Sequence, residues 1–502
     1  MTQSAPSAQA GSFRFWVVFA VFVLFLLIAV SSSSFWIDEV GTAKKAGQPT
    51  IGDWWHLIST DKETDLQMPF YSLYLWVAAK SIGLRELPLR LASAVWLLPG
   101  LVAFVLSFRS RHTQITAMLV ALTNAFLWYY ANEARSYAMQ LGGSLMVFAA
   151  IHRLAGENVS DEQQKPWLRT FAAGLLILCG SSMLCMIWAS SALAAIWLLF
   201  PSSQLLAWFR RNRALWISLV VSLAILGGFY VWTVSLGSRG SGAGVTNWKT
   251  TLFVIYDQCG FSGLGPGRTE LRADGIAALR PFAPRLAAFA IALGILVFTA
   301  LLHFWRQNPR QTAAIAVAII SPWLFLSIVG LAAHFRLLGR HCAPLTCVWL
   351  FLASTGLSLL TSLPGWFGKA ISAAFLALAL TSSLSIRFSY RQAKDDYRRA
   401  ASVASTALRA HQTVWWNADK DGALYYSLPI SESLPVPNKV LLIFNPSDTN
   451  QLTALPQPDI VVASKPDLFD FSGALASYLI GHRFRVIDSF PAFQVWQAPQ
   501  AR

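Results

Sequence analysis

Four short clusters place reactive side chains beside apolar runs. Asp38-Glu39 follows the uncharged stretch 15–37. Two adjacent carboxylates at that depth could act as a general base on an acceptor hydroxyl held at a lipid headgroup. The same pair could equally be the polar stop of a span. Gln67-Met68-Pro69-Phe70-Tyr71 opens a short apolar segment, where Pro sets the entry angle of a helix. Tyr129-Tyr130-Ala131-Asn132-Glu133-Ala134-Arg135-Ser136-Tyr137 joins two apolar runs. A simple turn needs few polar groups; Glu133 and Arg135 could pair with each other, or Arg135 could grip a phosphate through its planar fork. His334-Phe335-Arg336-Leu337-Leu338-Gly339-Arg340-His341 gathers two Arg and two His between apolar runs. That chemistry suits an anionic headgroup or leaving group, or contact with acidic lipids.

The elements that would position these groups are membrane spans. Apolar residues make up 55% of the 502, and charged residues only 13%. So few charges cannot cover a water-soluble body of this size. Runs of about 20 apolar residues predict eleven spans: 15–37, 87–108, 113–130, 136–154, 169–187, 188–206, 214–236, 285–305, 312–333, 342–362 and 367–388. With the N-terminus cytoplasmic, the short inner loops hold eleven Lys and Arg, including Arg109, Arg153, Arg210 and Arg310. The short outer loops hold only Arg135, Arg336 and Arg340, as the positive-inside rule requires. The net charge of +15 is thus a topology signal, and no nucleic-acid partner is expected.

Three pieces fall outside the cytoplasm: a first loop at 35–86, a second at 237–284, and the tail from 389. Within the second loop, the Gly-rich 260–267 reads as flexible. In the tail, 395–409 predicts a charged helix and 472–479 a second helix. Apolar runs 440–444, 459–463, 484–487 and 493–497 predict strands of a small α/β domain. The five Cys form no CxxC pair; Cys259 and Cys342 fall near one side of the membrane and could bridge. No phosphate-binding Gly loop of nucleotide sites and no Ser elbow is present.

Taken in order, the Asp-Glu pair after the first span, the Pro-aromatic segment later in the same loop and the Glu133-x-Arg135-x-Tyr137 turn resemble the GT-C superfamily. More closely, the chain is similar to bacterial relatives of dolichyl-phosphate-mannose protein mannosyltransferases and of the lipid A aminoarabinose transferase. The tail start Lys394-Asp395-Asp396-Tyr397-Arg398-Arg399-Ala400 and the closing Phe490-Pro491-Ala492-Phe493-Gln494-Val495-Trp496 are similar to theirs. The resemblance implies a polytopic α-helical GT-C catalytic domain at 1–388, about eleven transmembrane helices, and an extracytoplasmic α/β domain at 389–502. It places the protein in a bacterial cytoplasmic membrane and implies sugar transfer from a polyprenyl-phosphate carrier, with inversion, to a glycolipid, glycan or protein acceptor.

Carried over, Asp38 would be the catalytic carboxylate and Glu39 its partner. Glu133, Arg135 and Tyr137 would line the cavity near the carrier phosphate, with Arg336, Arg340, His341, Pro69 and Tyr71 as further binding residues. Relatives often carry His or Lys before the Pro of the first-loop segment. Here Gln67-Met68 stands there, which shifts the phosphate to Arg135, Arg336 and Arg340. The sequence requires no cofactor, though Asp38, Glu39 and Glu133 could coordinate a divalent metal. A transporter or flippase of lipid-linked sugars, with the outer charges as a vestibule, is the competing class. An inactive relative that only binds such a lipid is a third reading.

Overall fold

The computed structural model describes residues 8–61, 64–155, 161–236, 246–332, 336–432 and 435–499. It divides into two compact units. One comprises Met1–Ser31, Gln48–Gly83 and Pro88–Ser389; the other comprises Ser32–Gly47, Leu84–Leu87 and Tyr390–Arg502.

The first unit is helical. Among the described residues, five helices are long and apolar enough to cross a membrane, or six if the bent pair Cys185–Leu199 and Ser202–Arg211 is one span. Helix Arg213–Ser235 keeps only 17% of its most apolar window buried, and Ile225 and Val231 stand 68% and 72% exposed. A helix that is apolar all round and largely uncovered by protein needs lipid against it.

The expected span 188–206 is broken between Leu199 and Ser202, and the spans 15–37 and 113–130 also differ from the sequence expectation. The first helix, Ala8–Ala29, stops well short of residue 37. Ser31 is held by side chains instead: its N–H donates to Asn132 Oδ1 (2.8 Å), and its carbonyl accepts from Arg90 Nη1 (3.0 Å). Such bonds compete with helix continuation in a Ser-rich stretch. The 113–130 run is likewise broken into Arg111–Leu122 and Ala125–Ala131, because the Asn124 side chain caps the second helix by accepting from Leu127 N–H.

Helix Tyr137–Ala155 runs through the middle of this unit, and many of its residues are buried. Gly142 lets it lie directly on the backbone of Trp96, where any Cβ would collide with the Trp96 carbonyl. Close backbone approach through small residues is how apolar helices associate in lipid. The 260–267 segment is anchored rather than loose. Gly263 N–H donates to Ser382 Oγ (3.1 Å), Ser382 Oγ donates to the Gly260 carbonyl (2.6 Å), and Leu264 is buried.

The second unit is built on a sheet of β1 (Val414–Asn417), β2 (Ile430–Ser431), β3 (Val440–Leu442), β4 (Ile460–Ser464), β5 (Arg485–Phe490) and β6 (Phe493–Gln497). Their order is β2-β3-β1-β4-β6-β5. The first four are parallel, and β6 and β5 close the edge antiparallel. Successive strand residues face opposite ways. Val414, Trp416 and Val462 therefore join one core with Tyr397, Ala400 and Ala404 of helix Tyr397–Arg409. Trp415, Leu441 and Val461 join another with Leu475 and Leu479 of helix Ala474–Gly481. The sheet is thus buried on both faces, as parallel strands require. The helix expected to be charged buries a stripe of Ala, and central β1 adds a strand beyond those the sequence predicts.

Candidate functional site

The turn at 132–136 ends helix Ala125–Ala131 and starts helix Tyr137–Ala155. Almost all of it is inside: Glu133 is 0% exposed and Arg135 4%. Arg135 forms its ion pair with a residue of the first loop. Its Nη1 lies 2.9 Å from Asp65 Oδ1, and both side chains are buried. Next to it, Ser136 Oγ donates to Met68 Sδ (2.9 Å). The first-loop stretch 65–68 is therefore bolted to the turn. Gln67 extends the attachment through its carbonyl, which accepts from Met183 N–H (2.8 Å).

Pro69 occupies the first turn of helix Pro69–Ile82, as its fixed φ favours. Tyr71 on that helix is fully buried, its hydroxyl 2.9 Å from Ser93 Oγ. In this structure Tyr71 joins two helices.

Three tyrosines form a ladder beside the turn. Tyr129 and Tyr130 meet edge to face at 5.0 Å between centroids, and Tyr130 meets Tyr137 in the same way at 5.0 Å. An Arg stands at each end. The Arg268 guanidinium lies 4.0 Å over the Tyr129 ring, and that of Arg340 lies 5.9 Å from the Tyr137 ring. Cation–π contact holds each guanidinium over a ring face at about 0.5–2 kcal/mol. Glu133 and Asp257 belong to the same electrostatic neighbourhood of Tyr129.

Arg340 is delivered by the short turn Gly339–Cys342. Gln258 Nε2 donates to the Gly339 carbonyl (2.6 Å), and Thr346 Oγ1 donates to Gln258 Oε1. Gly is required at 339 because a Cβ there would run into the Asp257 carboxylate. Asp257 accepts from Ser262 Oγ (2.8 Å). Burial pushes its carboxyl above the usual carboxylate range, against the pull of Arg268. His341 Nδ1 lies 3.2 Å from Leu338 N–H and accepts from it. Burial, then the Arg340 charge, lowers its pKa to about 3, so it is a neutral acceptor. Arg336 is exposed, and the next residue, Leu337, donates its N–H to Thr246 Oγ1 (2.9 Å). His334 and Phe335 lie outside the described residues.

Asp38 and Glu39 lie in the second unit, in the first turn of helix Ile37–Ala46. They diverge in environment. Glu39 is fully buried, and its Oε2 accepts from Trp36 N–H (3.4 Å), closing the helix start. Asp38 is half-buried, and its carbonyl accepts from Thr42 Oγ1 (3.0 Å). The segment around them is fastened to the tail. Phe35 N–H donates to Tyr426 Oη (2.8 Å), Arg398 Nη2 donates to the Ser32 carbonyl (2.9 Å), and Lys44 pairs with Asp421 (2.9 Å).

Asp65, Asp257 and Arg268 do not stand out in the sequence. Long loops say little about orientation, so Arg268 is not marked as an outer cation the way Arg336 and Arg340 are. The signal available is an Asp closing an apolar helix and an Arg directly after a Gly-rich segment. All five Cys are buried and none is bridged, so the Cys259–Cys342 pair is not formed. Among the described residues, no three His, Cys, Asp or Glu side chains gather as a metal-binding group.

No family model matches the sequence, and no curated protein matches it. Solved structures do match in fold. ArnT from Cupriavidus metallidurans bound to undecaprenyl phosphate superposes with a TM-score of 0.51 at 13% identity, covering 98% of this chain and 100% of its own. The apo state of ArnT from Cupriavidus metallidurans gives 0.50 at 14% identity over the same shares. The fold is GT-C. An oligosaccharyltransferase from Archaeoglobus fulgidus, in complex with Zn and sulfate, superposes at 0.46 and 11% identity over 88% of this chain and 68% of its own. With five helices, or six, long and apolar enough to cross a membrane among the described residues, the chain is a multi-pass membrane protein. The first unit carries the Arg268–Arg340 ladder, and the second carries the Asp38-Glu39 pair.

Proposed function

We propose that this chain is a membrane glycosyltransferase that moves a sugar from a polyprenyl-phosphate carrier to an acceptor at the outer face of a bacterial cytoplasmic membrane. The observation that carries the reading is the pair of guanidiniums, Arg268 and Arg340, poised over the ends of the tyrosine ladder. Two cations held in place by ring contacts suit the phosphate of such a carrier. ArnT was solved with undecaprenyl phosphate, which supports a lipid phosphate as the carrier.

In this reading the acceptor oxygen attacks the anomeric carbon as the bond from that carbon to phosphate oxygen breaks, inverting the centre. Asp38 takes the acceptor proton, or positions an acceptor that is already anionic. Arg268 and Arg340 take the charge that develops on the departing phosphate, where one donor is worth about 10²–10³-fold. Arg135 holds the turn through Asp65, with Arg336 and His341 at the margin. Eleven spans with a cytoplasmic N-terminus and an outer C-terminal domain fit the cation placement.

The test is sugar transfer in membranes supplied with mixed polyprenyl-phosphate sugars, comparing native protein with Asp38→Asn and Arg268→Gln. Loss of transfer in both folded variants is expected. Transfer that survives Asp38→Asn removes the proposed base. Binding of lipid-linked sugar by native protein without transfer points instead to a transporter or an inactive binder.

A further inference from the structure

Residues 32–35 lie outside any helix or strand, so their backbone groups depend on partners from elsewhere in the chain. The second unit supplies those partners from its own tail, since Ser32–Gly47, Leu84–Leu87 and Tyr390–Arg502 form one compact body. Three points just ahead of Asp38 are gripped. The Ser32 carbonyl accepts from Arg398 Nη2 (2.9 Å), Ser34 Oγ accepts from Arg398 N–H (3.1 Å), and Phe35 N–H donates to Tyr426 Oη (2.8 Å).

Tyr426 is the centre of this arrangement. It directly follows the short helix Lys420–Tyr425. Its hydroxyl accepts from Phe35 N–H and from Ser34 Oγ (3.2 Å), and it donates to Glu86 Oε1 (2.8 Å). One donation and two acceptances fill what a hydroxyl can offer. Glu86 Oε1 also accepts from Arg398 Nη2 (2.5 Å), so one carboxylate joins the two gripping side chains. Tyr425 flanks them: its ring lies 5.4 Å from that of Phe35, and its hydroxyl donates to the Leu84 carbonyl (2.6 Å). Ile37, next to Asp38, packs against the same apolar core as Tyr426.

We infer that Tyr426 is a positioning residue for the proposed transfer, setting through Ser34 and Phe35 where the Asp38 carboxylate stands. This rests on the reading of Asp38 as the group that takes the acceptor proton or places the acceptor. A general base works only within hydrogen-bond reach of its acceptor, about 2.6–3.2 Å. A misplacement of about 1 Å costs about 10²-fold, so a loosened segment loses rate without losing the fold. The tail thus takes part in the chemistry through one hydroxyl.

The test is Tyr426→Phe in the full-length protein, read by transfer kinetics, the unfolding midpoint and amide hydrogen exchange. The expected kcat is lower by about 10–100-fold, with KM for the lipid-linked sugar unchanged. The Phe35 amide should exchange faster. In an Asp38→Asn background, Tyr426→Phe should cost nothing further, because it acts through Asp38. Arg399→Gln breaks a different contact of the tail, with Asp488 (2.8 Å), and should leave kcat and Phe35 exchange native. If Tyr426→Phe fails to fold, Ser34→Ala, which removes the hydroxyl that meets both Tyr426 and Arg398, should show the same pattern. A folded Tyr426→Phe with native kcat overturns the inference. So does a loss that multiplies with that of Asp38→Asn, or one matched by Arg399→Gln. Transfer at the native rate by Asp38→Asn is a different failure: it overturns the reading of Asp38, and this inference with it.

Discussion

Arg135 and Asp65 form a buried ion pair, Nη1 to Oδ1 at 2.9 Å, that ties the first loop to the turn before helix Tyr137–Ala155. By sequence alone, Arg135 reads as a phosphate ligand or a partner of Glu133. In the structure its guanidinium also fixes the position of the turn that carries Glu133 and Tyr137.

Removing either partner should therefore cost stability before it costs chemistry. Asp65→Asn leaves the Arg135 charge buried and should destabilise the first unit by about 3–5 kcal/mol. Denaturation in detergent of Asp65→Asn, Arg135→Gln and the double variant checks this. The double variant should be less damaged than the two single changes predict.

Arg268 should behave oppositely. It is exposed over much of its length and caps the ladder through Tyr129, so Arg268→Gln should leave the unfolding midpoint nearly unchanged. Sugar transfer should drop by about 10²–10³-fold. Parallel thermal and transfer assays would expose a structural role if both fell together.

Gly339→Ala tests whether the Arg340 turn depends on close approach to Asp257. The added methyl meets the Asp257 carboxylate and must push the turn aside, at about 1–3 kcal/mol. Stability and carrier binding should fall together in this variant, whereas Gly294→Ala, in a helix with open space around its Cβ, should leave both intact.

The two carboxylates of the first-loop pair should separate cleanly. Asp38→Asn should reduce transfer by about 10²–10⁴-fold in a stable protein. Glu39→Gln alters a buried acceptor of Trp36 N–H and should cost about 1–3 kcal/mol of stability. Transfer assays and unfolding midpoints on both variants decide it.

His341 predicts a pH signature. Its pKa falls from the ordinary 6.5 to about 3 in the folded protein, so the unfolded chain binds the extra proton between those values. The contribution is fully present above pH 6.5 and is lost as pH falls towards 3. His341→Gln should flatten the native slope of stability across that window, measured as the difference between the two unfolding profiles.

Much of the tail is legible in the sequence because short apolar runs set off by Pro and Asn betray strands. β4 and β6 lie close to where Val461 and Phe493 suggest. β1 is hidden, since Val414-Trp415-Trp416-Asn417 offers only three apolar residues and has no Pro or Gly beside it to mark its ends. The end of the first span is hidden for a different reason. Its uncharged Ser run reads as spannable by composition, yet Arg90 and Asn132 capture Ser31 from far along the chain.

What the sequence by itself determined is solvent and order. Too few charges for water and apolar runs of membrane length are one-dimensional properties, set by the cost of burying charge in lipid. Only the tertiary structure decided partnership. Arg135 meets Asp65, Arg268 covers Tyr129, Gly339 makes room for Asp257, and the segment holding Asp38 joins the tail. A buried charge must find its counter-charge or ring wherever packing brings one, and that distance through space has no trace in spacing along the chain.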